Sequence, residues 1–417
     1  MMVSNQMVDS TKDIGYYNIH GLVTVRVEGV LKPTGAILDK TLEYFKIPNG
    51  DPELTIVLGE YPSKDWSPRG YTVGDRILYD FDSDLTTVFR RPTGSMLSKS
   101  DVEYVIRGNI RDNRSAMTVY VPRLSKQLGY FRRVGRGLAR KNFSRAMLAA
   151  VGNSATSSEE IELEAAKVRL AILETFLYYR LPFNGASMAH ASLVSKNGSG
   201  LMIAGSGHIG KTTLALEMVK KGYSYMGDDL VIVGDRGQAL QYAEPIRIQE
   251  QHLEIFPELA KKVTSSMGTL ERFFFNRMLK SSPEQALNLM PRLPISEIVD
   301  GGALGDVCRL DSVLVVRKGV IPEPVFEEID AETASSVLAA ELFWEFEAAL
   351  WRHTQYMYGR SCAKAVDFIE EEGEHHRLIS RVLRDALKNS RTFRLKVPYE
   401  FPIRESTKYI DEVLRKS

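Results

Sequence analysis

The chain has 417 residues, 44% hydrophobic and 26% charged, with 54 basic against 53 acidic side chains and a formal net charge of +1. Ordinary apolar content and balanced charge exclude a wholly disordered chain and a basic protein that coats nucleic acid, and the length suffices for two or three domains of about 100–200 residues. No apolar run approaches the roughly 18 residues that cross a bilayer, and the opening MMVSNQMVDSTKDIG lacks a basic stretch followed by an apolar core. The expectation is a cytoplasmic protein with no membrane partner. Cys308 and Cys362 are the only cysteines and lie far apart, which predicts neither a disulfide scaffold nor a structural metal.

From about residue 15 to residue 122, short β-prone runs alternate with turn residues: GLVTVRVEGV (21–30), ELTIVLG (53–59), GDRILYDFD (74–82), VEYVIRG (102–108) and AMTVYVP (116–122). Their Val, Ile, Leu and Tyr content between Gly, Pro and Asp borders predicts antiparallel strands and hairpins. Residues 1–150 are therefore expected to form a β-rich N-terminal module. Its last part is basic. Residues 113–158 hold no acidic side chain and nine basic ones, from Arg114 to Arg145, readable as an anion-binding surface or as a solvated helical face. Tyr130, Phe131 and Phe143 are too few aromatics for a stacking platform, so nucleic acid is not favoured as a partner.

Ser157 and Glu160 have the spacing of a capping box, and Ile161, Ala165, Val168, Ile172, Leu173 and Phe176 recur at helical spacing. A helix over about 158–179 is predicted, within a linking segment 151–183. The pattern then changes to strand, turn, helix, strand, the sign of an α/β core over about 186–318. Helices are predicted at 331–352 and 361–389, then a strand at 392–397 and a last helix near 405–415. Residues 184–417 are read as one domain that includes these C-terminal helices.

Gly205, Ser206, Gly207, His208, Ile209, Gly210, Lys211 and Thr212 fill the pattern G-x-x-x-x-G-K-[ST] without a gap. Glycines let backbone N–H groups turn inward around a β-phosphate, the lysine adds charge, and the threonine places a hydroxyl on Mg²⁺. Leu201–Ala204 reads as the strand before this loop. The run from Thr213 to Lys220 reads as the helix after it, with its N-terminal dipole toward the phosphates. The expected ligands are ATP and Mg²⁺.

Asp228 stands seventeen residues after Lys211, preceded by Gly227 and followed by Asp229 and the apolar run Leu230–Val233. Two adjacent carboxylates at the start of a buried strand are costly unless something positive or protic holds them. A magnesium ion and a substrate hydroxyl would do both, with one Asp on the metal and the other taking the hydroxyl proton. His190 falls in Met188–Val194, read as the strand before the P-loop strand. Glu244, Pro245 and Arg247 follow the next strand and could bring a further acid and cation. Phe273, Phe274 and Phe275 are assigned to core or interface, with no chemistry.

These residues resemble the bacterial HPr kinase/phosphorylases and their wider set of related proteins. The likeness rests on the HxxLV run that begins at His190, the Gly-rich turn, the P-loop, the phrase TTLALEMVKKGY and the closely spaced Asp pair. It is specific over 186–236 and looser over Leu310–Lys318 and Arg391–Val397. It implies an α/β fold shared with the ATP-dependent phosphoenolpyruvate carboxykinases, with the acidic pair on the strand directly after the P-loop helix. It also implies Gly205–Thr213 as the nucleotide loop, Lys211 and Thr212 on the β/γ-phosphates and Mg²⁺, Asp228 as base, Asp229 as a metal partner and His190 beside the transferred phosphoryl group. Most related enzymes are oligomers, so a homo-oligomer is implied too. The sequence departs from the bifunctional enzyme in having Thr212–Thr213 where Ser–Glu is usual, and in lacking an Arg-Gly-x-Gly segment downstream. The acceptor therefore stays open among a protein, a peptide and a small molecule.

The reading is a kinase that moves the γ-phosphoryl group to a hydroxyl. The alternative is a nucleotide-binding regulatory protein without transfer chemistry, and the two part at Asp228. A decarboxylating carboxykinase would need a second metal site and a carboxylate-binding arginine, neither identified in the sequence.

Overall fold

The computed structural model describes residues 13–30, 32–59, 71–73, 77–82, 85–90, 102–108, 115–121, 161, 164–207, 209–246, 293–346 and 367–416, with isolated positions at 248, 252, 256 and 259. The chain divides into two units, Met1–Phe183 with Glu347–Gly373, and Asn184–Phe346 with Glu374–Ser417. No helix among the described residues is long and apolar enough to cross a membrane.

The first unit is built on nine strands: β1 Ile14–Ile19, β2 Val23–Glu28, β3 Lys46–Ile47, β4 Leu54–Leu58, β5 Tyr71–Val73, β6 Ile77–Asp82, β7 Leu85–Arg90, β8 Val102–Arg107 and β9 Met117–Val121. They form one sheet in the order β3-β1-β2-β4-β9-β8-β7-β6-β5. The alternation that marked these runs appears as alternating burial: Tyr17 and Ile19 in β1, Val23, Val25 and Val27 in β2, and Met117, Val119 and Val121 in β9 face the core. The expectation of antiparallel pairing needs correction at the sheet centre, where β4 runs parallel to both β2 and β9. Helix α1, Pro33–Thr41, lies between β2 and β4 and makes the crossover that parallel neighbours require. Gly35 allows this crossing, because a Cβ there would sit 2.1 Å from the carbonyl oxygen of Gly29. β4 itself is apolar on both faces, as a central parallel strand is.

The predicted linking helix runs to Arg180, with a π-helical stretch at Arg169–Glu174 followed by α2, Thr175–Arg180. Its predicted apolar face (Ala165, Val168, Ile172, Leu173, Phe176) is buried, and α2 is buried on every side. The Arg180 guanidinium is held there by the Ser115 carbonyl at 2.9 Å and Glu53 at 3.5 Å. Ser157, Glu160 and most of the basic segment 113–158 lie outside the described residues.

The second unit holds β10 Ala186–Ala189, β11 Ala191–Lys196, β12 Ser199–Ala204, β13 Ser224–Gly227, β14 Val231–Gly234, β15 Gln238–Leu240, β16 Val307–Gly319, β17 Val325–Ile329 and β18 Arg391–Pro398. The order is β10-β14-β15-β16-β12-β11-β13, with β18 on β16 and β17 on β18. β12 lies between antiparallel β11 and parallel β16, and β18 continues the parallel set. This confirms the two later strands read at 310–318 and 391–397. Helices α3 (Lys211–Lys220), α4 (331–346), α5 (Phe368–Leu387) and α6 (Thr407–Lys416) complete the elements used below. Leu201 and Ile203 of β12, Leu314 and Val316 of β16, Phe393 and Leu395 of β18, Leu214 and Met218 of α3, and Ile410 and Val413 of α6 form one apolar core. Each fully buried aliphatic side chain contributes about 1.5–3 kcal/mol. That core fixes α3 against the end of β12 and so sets the loop between them.

Candidate active site

β12 ends at Ala204 and the chain turns at Gly205, whose φ is +142°. A Cβ at this position would meet the Ile209 side chain at 2.2 Å and the Val316 carbonyl oxygen at 2.3 Å, so the loop passes over β16 only with glycine here. Gly210 caps α3 with φ +91°, in the left-handed region that glycine enters freely. The first helical bond runs from Leu214 N to Gly210 O at 3.0 Å. The N–H groups of the first turn are left without helical partners and point toward the loop. No acidic residue lies in that turn, so its positive end is available to an anion. A Cβ at Gly207 would meet nothing within 4 Å. His208 lies outside the described residues.

Lys211 is buried, and its ammonium donates to the carbonyls of Gly205 at 2.9 Å and Ser206 at 3.2 Å. Burial holds its pKa below the usual lysine range, while the carboxylates of Asp228, Asp229, Glu345 and Glu341 pull the other way. The next residue faces the acidic pair: Thr212 Oγ1 donates to Asp228 Oδ2 at 2.6 Å. Ser192 Oγ of β11 donates to the other oxygen, Asp228 Oδ1. Thr213 is fully buried, and its hydroxyl has no hydrogen-bond partner among the described residues.

The pair itself corrects one expectation. Asp228 and Asp229 lie in the bend between β13 and β14 rather than on the strand that follows α3. Asp229 takes a left-handed conformation, φ +63°, and is exposed, while Asp228 is half-buried.

His190 is likewise displaced from its expected strand. It sits at the break between β10 and β11, where β10 pairs with β14 and β11 with β12. The ring is 2% exposed, and Nδ1 lies 3.2 Å from Glu345 Oε2 of α4, an ion-pair distance without hydrogen-bond geometry. Burial, and then the Lys211 cation, push its pKa down to about 3, so the ring is neutral at pH 7.

Lys211, Thr212, Asp228, Asp229 and His190 thus share one neighbourhood. Sequence reading missed Ser192, Arg317, Glu341 and Glu345. Arg317 lies at the end of β16 and pairs with the buried carboxylate of Glu341 on α4. Ser192 stands two residues after His190 on the paired strand. Glu341 and Glu345 have the four-residue spacing of one helix face, a signal present in the chain but without a partner to name it. Glu244 is half-buried, and Arg247 and Phe273–Phe275 lie outside the described residues.

Comparison with known proteins finds the same segment. The HPr Serine kinase C-terminal domain family matches residues 183–257, a span that includes His190, the whole P-loop and both aspartates. The HPr kinase/phosphorylase of Chloroherpeton thalassium is 32% identical over 66 residues, 16% of this chain and 19% of that protein. That of Streptococcus thermophilus strain LMD-9 is 39% identical over 66 residues, 16% of this chain and 21% of its own length. That of Streptococcus pyogenes is 33% identical over 106 residues, 24% and 33% respectively. The chain therefore spans from a fifth to a third of the length of these relatives. A solved structure, the Hpr(Ser) kinase/phosphatase from Coxiella burnetii, aligns over 55% of this chain and 89% of that one, at 11% identity and a TM-score of 0.23. The loop, the threonine, the histidine and the acidic pair all lie inside the matched span, and over that span this chain is similar to the HPr kinase family.

Proposed function

We propose that this protein is an ATP- and Mg²⁺-dependent kinase, with its P-loop on a domain of the HPr kinase and phosphoenolpyruvate carboxykinase type. It moves the γ-phosphoryl group to a hydroxyl on a protein or peptide serine, or on a small molecule. The observation that carries this reading is the contact between the Thr212 hydroxyl and the Asp228 carboxylate, beside Lys211 at a glycine-walled helix N-terminus. The donor set fits both groups. First-turn N–H groups and a buried ammonium suit phosphate oxygens, and a hydroxyl with two carboxylates suits the hard-oxygen preference of Mg²⁺.

Bound there, the nucleotide supplies the phosphoryl group and the metal neutralises charge on its β- and γ-oxygens. Lys211 exchanges its bonds to Gly205 and Ser206 for phosphate oxygens, which it reaches from the same loop. Thr212 and Asp229 would hold the cation. Asp228 Oδ1, which accepts a hydrogen bond from Ser192 Oγ in this structure, takes the proton of the acceptor hydroxyl. The acceptor oxygen bonds to the γ-phosphorus, the bond from that phosphorus to the β-phosphate oxygen breaks, and ADP leaves. This chemistry is mostly positioning and charge neutralisation. The description of the matched family, HPr Serine kinase C-terminal domain, makes a protein serine the first acceptor class to test.

The experiment is transfer of label from γ-³²P-ATP with Mg²⁺ into a fractionated cell extract, by the wild type and by Asp228→Asn. Label that enters one protein or metabolite with the wild type alone is the expected result. If both proteins bind nucleotide equally and no label moves, the protein is a nucleotide-dependent regulator instead.

A further inference from the structure

Helix α4, outside the matched span, sends two acidic side chains one turn apart toward the phosphate loop. Glu341 is 4% exposed and paired with Arg317, which sets the rotation of α4 about its axis. Glu345, on the same face, is thereby brought to 3.2 Å from His190 Nδ1. His190 is enclosed, its Nδ1 makes no hydrogen bond among the described residues, and the charge of Lys211 bears on it. A buried ring with a carboxylate on one edge and a lysine near it stays neutral until the field around it changes.

We propose that Glu345 is a positioning residue for His190: it holds the ring at Nδ1 so that His190 takes up one proton from solvent when an anionic phosphate group enters the loop. The phosphate cancels the Lys211 charge that disfavours an imidazolium, and Glu345 supplies its counter-charge. The ring then donates through Nδ1 to Glu345 and through Nε2 to a phosphate oxygen. The other charges around the ring and lysine are Asp228 and Asp229 from the bend, Glu341 from α4 and Arg317 from β16. None of these touches Nδ1, so the effect is assigned to Glu345. The ligand here rests on the phosphoryl-transfer reading above, whereas the coupling of His190 to Glu345 does not.

The test is nitrogen-15 NMR of the full chain labelled in its histidine rings, with the His190 signal identified by its loss in His190→Asn. Spectra are taken at pH 6 with and without the Mg²⁺ complex of a non-hydrolysable ATP analogue. In the wild type His190 is expected to be neutral alone and an imidazolium when the analogue is bound. In Glu345→Gln, whose substitution site is 43% exposed and tolerant of an amide, His190 stays neutral and the analogue binds about tenfold more weakly, one pKa unit of coupling. A ring that stays neutral in the liganded wild type, or becomes charged equally in Glu345→Gln, overturns the proposal. Failure of the analogue to bind counts against the kinase reading alone, and inorganic pyrophosphate with Mg²⁺ then fills the loop and decides the histidine pair.

Discussion

Lys211 shows how strongly one residue is committed by its surroundings. A lysine that is 6% exposed and hydrogen-bonded only to loop carbonyls pays a desolvation cost that an apolar side chain would avoid. Four carboxylates lie close enough to favour its charge, and a phosphate is the proposed partner in the loop. Lys211→Ala is therefore expected to abolish nucleotide-dependent transfer while the far-ultraviolet spectrum stays that of the wild type. Unchanged turnover in that variant would sink the P-loop assignment. The lysine was readable at once, because the pattern specifies it by spacing. Ser192, Arg317, Glu341 and Glu345 were not, because nothing local distinguishes a serine on a strand or a glutamate pair on a helix from ordinary surface residues. Each acquires meaning only from the side chain opposite.

At the scale of elements, β12 and α3 were both predicted within two residues, since a buried apolar run, a glycine-rich turn and an amphipathic helix each carry a local signature. β17, by contrast, has no fully buried residue and was not read as a strand; it is held by pairing with β18, with Glu328 on Arg391 and Glu327 on Arg394. Parallel pairing around β4 was also missed, because strand direction depends on the α1 crossover and not on the strand's own residues. The precision of the site rests on how α3 is seated. Leu214, fully buried in the core shared with β12 and β16, is the most direct probe of that seating. Leu214→Ala is expected to cost about 2–5 kcal/mol, read as a lower urea midpoint with an unchanged slope. A loss under about 1 kcal/mol would show that the helix is held chiefly by other contacts.

For the molecule as a whole, two buried histidines link stability to pH. Burial pushes His252 down to about 4, and burial with the Lys211 charge pushes His190 down to about 3. An unfolded histidine binds its proton near pH 6.5, so below that value the unfolded state holds more protons than the folded one. The sign follows: stability from this source is full above about pH 6.5 and falls with acidification until each folded pKa is passed. The slope is about 1.4 kcal/mol per pH unit for each histidine. Urea unfolding at pH 7 and pH 5 should show this loss, and His190→Asn should reduce it by about half. Equal pH dependence in variant and wild type would mean that His190 is charged in the folded protein.

From its order of residues alone, the chain specified a β-rich start, an α/β core, a glycine-rich loop between strand and helix, and the acidic pair. These are local patterns, written in alternation, helical spacing and glycine placement, and they survive without knowledge of what packs against them. Tertiary structure decided the direction of the central strands, the bend that carries Asp228 and Asp229, the place of His190 between two strands, and the arrival of Glu341 and Glu345 beside Lys211. Such matters depend on contacts between residues far apart in the chain. The face that α4 turns toward the loop is set by the Arg317–Glu341 pair across 24 positions, and no window of sequence contains that reason.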